Sequence, residues 1–165
     1  GEFLNSGATK LILDLRNNPG GYLEASVDIA SWFLPKGALV AKEDFGNGGG
    51  EEFKSYGYGV LENVPVIVLT NEGSASASEI LAGALRDVKG IKLVGKKTYG
   101  KGSVQELKEM KGGASLKITV AKWLTPSGIS IMDEGLEPDV AVEMTEEDIN
   151  AKRDPQLEKA VEILK

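Results

Sequence analysis

An α/β fold is predicted by three features of the sequence. A short apolar strand runs into a glycine-rich turn and then an amphipathic helix; the same passage occurs a second time; and a β-hairpin signature follows both. The first strand is Lys10-Leu11-Ile12-Leu13-Asp14-Leu15, a nearly continuous apolar run that reads as buried. It breaks at Arg16-Asn17-Asn18-Pro19-Gly20-Gly21, a dense cluster of turn formers. Tyr22 to Leu34 carries helical periodicity, with Leu23, Val27, Ile29, Ala30, Phe33 and Leu34 supplying the apolar face. Ala38 to Ala41 reads as a strand. Asp44 to Glu52 is polar and glycine-rich, with Phe45 as its one apolar anchor, and is expected to be a mobile loop.

The second passage begins at Val64-Pro65-Val66-Ile67-Val68-Leu69-Thr70, a buried strand. Asn71-Glu72-Gly73-Ser74 is its turn, and Ala75 to Asp87 its alanine- and leucine-rich helix. Ile91 to Gly95 is a further short strand, and Lys96 to Gly102 a glycine-flanked loop. Val104 to Met110 and Ala114 to Trp123 bracket Lys111-Gly112-Gly113 as a hairpin. Thr125-Pro126-Ser127-Gly128 is a turn. Asp154-Pro155 opens a terminal helix to about Leu164, with proline at its first position. Two β-to-α turns of this kind are expected to face one cleft.

At 165 residues the chain has the length of one domain with a core of its own. A net charge of −6 with no basic stripe argues against a nucleic-acid partner. No apolar run reaches the length of a membrane span, and no signal peptide opens the sequence. Gly1-Glu2-Phe3 reads as a cloning scar, so the chain is expected to be an excised fragment. The absence of cysteine suits an oxidising compartment as well as the cytoplasm.

The chain contains neither histidine nor cysteine, which removes the Ser-His-Asp triad and the thiolate as routes to a nucleophile. Acyl-transfer chemistry would then need a serine deprotonated by another base, and lysine is the usual substitute. Ser76 lies in Gly73-Ser74-Ala75-Ser76-Ala77-Ser78-Glu79, at the strand-to-helix turn. Ser76-Ala77-Ser78-Glu79 also fits a capping box, with Glu79 reaching back to the cap, and Ser74 and Ser78 are alternative caps. The functional reading adds that a helix N-terminus offers N–H groups and a positive dipole end to an oxyanion. Ala75 and Ala77 leave room for a polypeptide backbone. Lys101 sits between Gly100 and Gly102, with Tyr99, Val104 and Leu107 as apolar cover. In an extended segment Lys101, Ser103 and Gln105 share a side, which would let Gln105 orient the amine. An exposed, solvated lysine is the plain alternative.

The blocks Asn71 to Ile80, Ala82-Gly83-Ala84-Leu85, Leu93-Val94-Gly95, Lys97 to Gly102 and Val104-Gln105 closely resemble the carboxyl-terminal processing (tail-specific) proteases. Leu13 to Gly21, Leu124 to Gly128 and Gly135-Leu136-Glu137-Pro138-Asp139 are similar to other blocks of that family, in the same order. The resemblance implies a ClpP/crotonase-like core with an added β-hairpin, and a serine-type endopeptidase cleaving near substrate C-termini. It implies Ser76 as nucleophile, Lys101 as general base and Gln105 as its orienter. Gly21 is implied as one backbone oxyanion donor, with Gly20 as the alternative, and Ala77 as the second donor. It implies no metal and no cofactor. The partners it implies are protein or peptide substrates with unstructured C-termini, and the compartment extracytoplasmic. Family members usually carry a PDZ domain and an N-terminal helical segment, and residues 1–165 match neither. Two rivals are a non-catalytic peptide- or ligand-binding module on the same fold and a crotonase-type acyl-CoA enzyme. The second is disfavoured because no basic cluster suits a CoA phosphate.

Overall fold

The computed structural model describes residues 2–132 and 134–165. Gly1, the start of the stretch read as a cloning scar, lies outside the described residues. The elements in chain order are α1 (Glu2–Asn5), β1 (Leu11–Asp14), α2 (Leu23–Ser31), β2 (Leu39–Asp44), β3 (Gly50–Lys54), β4 (Val66–Thr70) and α3 (Ala77–Lys89). They continue as β5 (Lys92–Gly95), β6 (Ser103–Glu109), β7 (Ser115–Leu124), β8 (Val140–Ala141), α4 (Glu146–Asn150) and α5 (Pro155–Leu164).

Two sheets are formed. One is parallel, in the order β1-β4-β5-β8, and the other antiparallel, in the order β3-β2-β7-β6. Every residue of β4 is buried, which explains its unbroken apolar run: a central parallel strand is covered on both faces. Val66 and Val68 face a core shared with Val27, Phe33 and Leu34 near α2 and with Ile80, Leu81 and Leu85 from α3. Ile67 and Leu69 face the opposite way, onto Ala160 and Ile163 of α5. The strand alternation thus places α2 and α3 on one face and α5 on the other.

Both strand–turn–helix passages are present, with shifted ends. The first helix stops at Ser31 instead of Leu34, because Trp32 and Phe33 close tighter three-residue bonds onto Ile29 and Ala30 before Pro35. The second helix runs to Lys89 and ends on Gly90, whose φ of 65° closes it in the left-handed conformation. The hairpin around Gly112-Gly113 forms as β6–β7, Thr125–Gly128 closes as a turn, and Pro155 opens α5 with Asp154 as its cap.

The mobile loop expected over Asp44–Glu52 is a correction. Asp44 ends β2, and Gly50–Glu52 belong to β3, in register as Asp44↔Gly50, Glu43↔Glu51 and Lys42↔Glu52. Only 45–49 connect the two strands. A polar strand with no apolar alternation is invisible to a periodicity argument; here the backbone ladder from β2, itself paired to β7, makes it. β8 and α4 are likewise unanticipated, each being too short for a periodic signal.

Candidate active site

Both β-to-α turns lie at the carboxyl ends of parallel strands β1 and β4, and they meet there. Ser76 occupies the sharp turn into α3 with φ of 56° and ψ of −121°, a conformation that a serine adopts only under constraint. It is half-buried between buried Ala75 and Ala77. The capping box is realised in its reciprocal half: Ser76 N–H donates to Glu79 Oε2 at 2.9 Å. The Ser76 hydroxyl makes no capping hydrogen bond to the helix.

Gly20 packs against this turn so closely that a Cβ would stand 2.5 Å from Ala75 O, 2.7 Å from Ala77 N and 3.0 Å from Ser76 Cβ. With φ of 90° as well, the position accepts only glycine. Gly20 N–H is already engaged, donating to Asn18 Oδ1 at 3.0 Å. Gly21 N–H makes no such bond among the described residues, and Ala77 N–H, first in its helix, has no intrahelical partner. Beside Ser76 lies a cavity of about 130 Å³, lined by Leu15, Tyr22, Ala25, Ile29 and Leu81 together with Gly20, Gly21 and Ala77.

Glu79 has a role that its place in a capping box did not reveal. Its side chain is fully buried, and its carboxylate accepts four hydrogen bonds. Oε2 takes the N–H groups of Ser76 and Lys101, each at 2.9 Å. Oε1 takes Thr98 Oγ1 at 2.5 Å and Gly100 N–H at 2.8 Å. Thr98 Oγ1 in turn accepts from Leu136 N–H at 2.7 Å. One carboxylate therefore gathers the Ser76 turn and the Lys101 loop, with Leu136 joined to them through Thr98.

The structure brings the Lys101 backbone to Ser76 but leaves the Lys101 side chain exposed, without a hydrogen bond among the described residues. The apolar cover expected for it is absent. Tyr99 is 68% and Leu107 63% exposed, and only Val104 is partly buried. The reason is topological: β6 is an edge strand, with no neighbour beyond it to bury its flank. Gln105 pairs with Thr119 across the β6–β7 ladder, is exposed, and is not drawn into the Glu79 cluster.

Arg16, just beyond the end of β1, uses all of its guanidinium edges. It is bidentate to Asp14 and to Asp154, at 2.7–3.0 Å, and donates to Gln156 Oε1 at 3.0 Å. Hydrogen bonds from Arg16 hold the Asp154 carboxyl below its usual range despite partial burial. The first turn is thereby tied to the start of α5. A larger polar hollow of about 500 Å³ adjoins this cluster, but the guanidiniums lining it, Arg16 and Arg153, are already paired with carboxylates.

A strained serine at the carboxyl end of a buried parallel strand, beside two N–H groups unpaired among the described residues and a small apolar cavity, is an arrangement suited to acyl-transfer chemistry on an α/β fold. The chain belongs to peptidase family S41, whose model matches residues 1–142. It is 44% identical over 161 residues to a carboxyl-terminal-processing protease of Synechocystis, covering 96% of this chain and 37% of that protein. It is 45% identical over 139 residues to a CtpA-like serine protease of Staphylococcus aureus, covering 83% of this chain and 28% of that protein. The solved structure of a photosystem II D1 C-terminal processing protease superposes with a TM-score of 0.80 at 36% identity, over 86% of this chain and 36% of the other. The fold is the ClpP-like core of these peptidases. The chain spans only 28% to 37% of the length of the two sequence relatives.

Proposed function

We propose that residues 1–165 form the catalytic core of a serine endopeptidase of the carboxyl-terminal processing type. The observation that carries this reading is the single oxygen, Glu79 Oε2, that accepts from the backbones of both Ser76 and Lys101. In this mechanism Ser76 Oγ attacks the scissile carbonyl carbon as its proton passes to Lys101 Nζ. The tetrahedral oxyanion is held by the N–H groups of Gly21 and Ala77; the bond that Gly20 N–H makes to Asn18 supports Gly21 over Gly20. Lys101 returns the proton to the departing amine, and water then resolves the acyl-enzyme. Lys101 is exposed in the free chain. A polypeptide laid across Ser76 covers it, and burial is what makes an ammonium release its proton. Gln105 orients the amine once it is covered.

The substrates are polypeptides with unstructured C-termini, presented in longer family members by a PDZ domain, and the compartment is extracytoplasmic by family resemblance. Among the described residues no helix is long and apolar enough to cross a membrane. The exposed, unbonded Lys101 favours one second reading, a peptide-binding module without turnover. A fluorophosphonate probe separates the two: covalent labelling at Ser76, lost in Ser76→Ala, supports the enzyme, and an unlabelled chain supports the binding module.

A further inference from the structure

The two oxyanion donors assigned above come from different segments, Gly21 from the turn after β1 and Ala77 from the turn after β4. Their separation depends on what joins those turns. Asn17 and Asn71 do so reciprocally: Asn17 N–H donates to Asn71 Oδ1 at 2.8 Å, and Asn71 Nδ2 donates to Asn17 Oδ1 at 3.0 Å. Asn71 Oδ1 also accepts from Gly73 N–H at 3.0 Å. Gly73 lies so close that a Cβ there would stand 2.8 Å from Asn17 Cα and from Asn17 Oδ1. Asn17 adopts the left-handed conformation, φ of 54°, which asparagine and aspartate tolerate better than other side chains. Two further bonds continue the seam, Ser74 Oγ to Leu15 O at 2.7 Å and Ala75 N–H to Asn18 O at 3.0 Å.

We propose that Asn17 and Asn71 are positioning residues whose reciprocal hydrogen bond sets the spacing of the two oxyanion donors and so governs turnover. The inference rests on the peptidase reading above. Asn17 is exposed and Asn71 only half-buried, so the pair adds little to the apolar core. What it adds is register between two turns, and displacement of such groups by about an ångström lowers rates on the order of a hundredfold.

The chemistry of the pair makes a specific test. Asn17→Asp keeps the acceptor that Asn71 Nδ2 needs. Asn71→Asp keeps the acceptors for Asn17 and Gly73, and the Asn17 amide can turn over to donate to it. Each single change preserves one donor between the side chains, whereas the double change sets two carboxylates against each other with none. On an unstructured peptide, each single variant should retain kcat within about threefold, while Asn71→Ala and the double variant (N17D with N71D) should lose roughly ten- to a hundredfold in kcat with little change in KM. Amide hydrogen exchange should accelerate at Gly20 and Ala75, whose N–H groups are bonded to Asn18, in the double variant and stay unchanged in β4. A double variant whose loss is the product of the singles, or whose exchange at those amides matches the parent, overturns the proposal. A parent chain that neither turns over peptide nor takes a fluorophosphonate at Ser76 overturns the peptidase reading instead, and with it the claim on turnover; the exchange measurement then decides whether the pair holds the turns together.

Discussion

The backbone N–H groups of Ser76 and Lys101 donate to the same atom, Glu79 Oε2, each at 2.9 Å. The two residues are thus held within two hydrogen-bond lengths at the level of the main chain, while the Lys101 side chain is exposed and makes no hydrogen bond among the described residues. In the proposed mechanism, this arrangement would fix where the Lys101 amine can arrive once substrate is present.

The first prediction concerns the pair itself. Ser76→Ala should abolish peptide hydrolysis and leave the fold intact, and Lys101→Ala should do nearly the same. The double variant should be no worse than either single, because residues acting as one unit do not contribute additively. Steady-state kinetics with circular dichroism checks this, and substantial turnover by Ser76→Ala would remove the mechanism.

Glu79→Gln should damage both stability and rate. The two carboxylate oxygens each accept two donors, and an amide nitrogen placed at either position leaves two donors facing an N–H group. Each buried donor left unsatisfied costs about 1–3 kcal/mol, so a loss of about 2–6 kcal/mol is expected in urea denaturation. An unchanged urea midpoint would show that the four bonds contribute nothing.

Acid should weaken the docking of α5. Hydrogen bonds from Arg16 lower the Asp154 pKa from its ordinary value of 3.8 in spite of partial burial. A carboxyl depressed in the folded state contributes stability above its unfolded value and loses it as pH falls through the lower folded value. The contribution is therefore whole at neutral pH and fades below about pH 4. Asp154→Asn should lower the urea midpoint at neutral pH and show a smaller further loss on acidification. Equal acid losses in the variant and the parent would contradict this.

Tail selection should be weak in this chain. A tethered binding module raises effective concentration, by about a hundredfold or more in favourable cases, without altering the catalytic groups. Paired peptides with free and amidated C-termini should be cleaved at similar kcat/KM. Strong preference for the free carboxylate would place tail recognition within these 165 residues.

The elements that position the site were legible because their signals are local. The unbroken apolar run of β4, the turn formers after β1, the glycine pair of the hairpin and Pro155 each act within a few residues of themselves. The strand-to-helix turn that carries Ser76 was legible for the same reason, since Asn71-Glu72-Gly73-Ser74 separates an apolar strand from an amphipathic helix. The polar strand β3 was not legible, since its cause is the ladder offered by β2.

The sequence by itself determined the two strand–turn–helix passages, the hairpin and the terminal helix in their order, and the serine at the second of the two turns. Tertiary structure alone decided that Glu79 would join Ser76 to Lys101, that Asn17 would meet Asn71, and that Arg16 would reach Asp154, 138 positions away. It also decided that Lys101 would be exposed, because β6 became an edge. Periodicity and turn chemistry are written along the chain, whereas a hydrogen-bond partner or a covering neighbour is chosen only when distant segments pack.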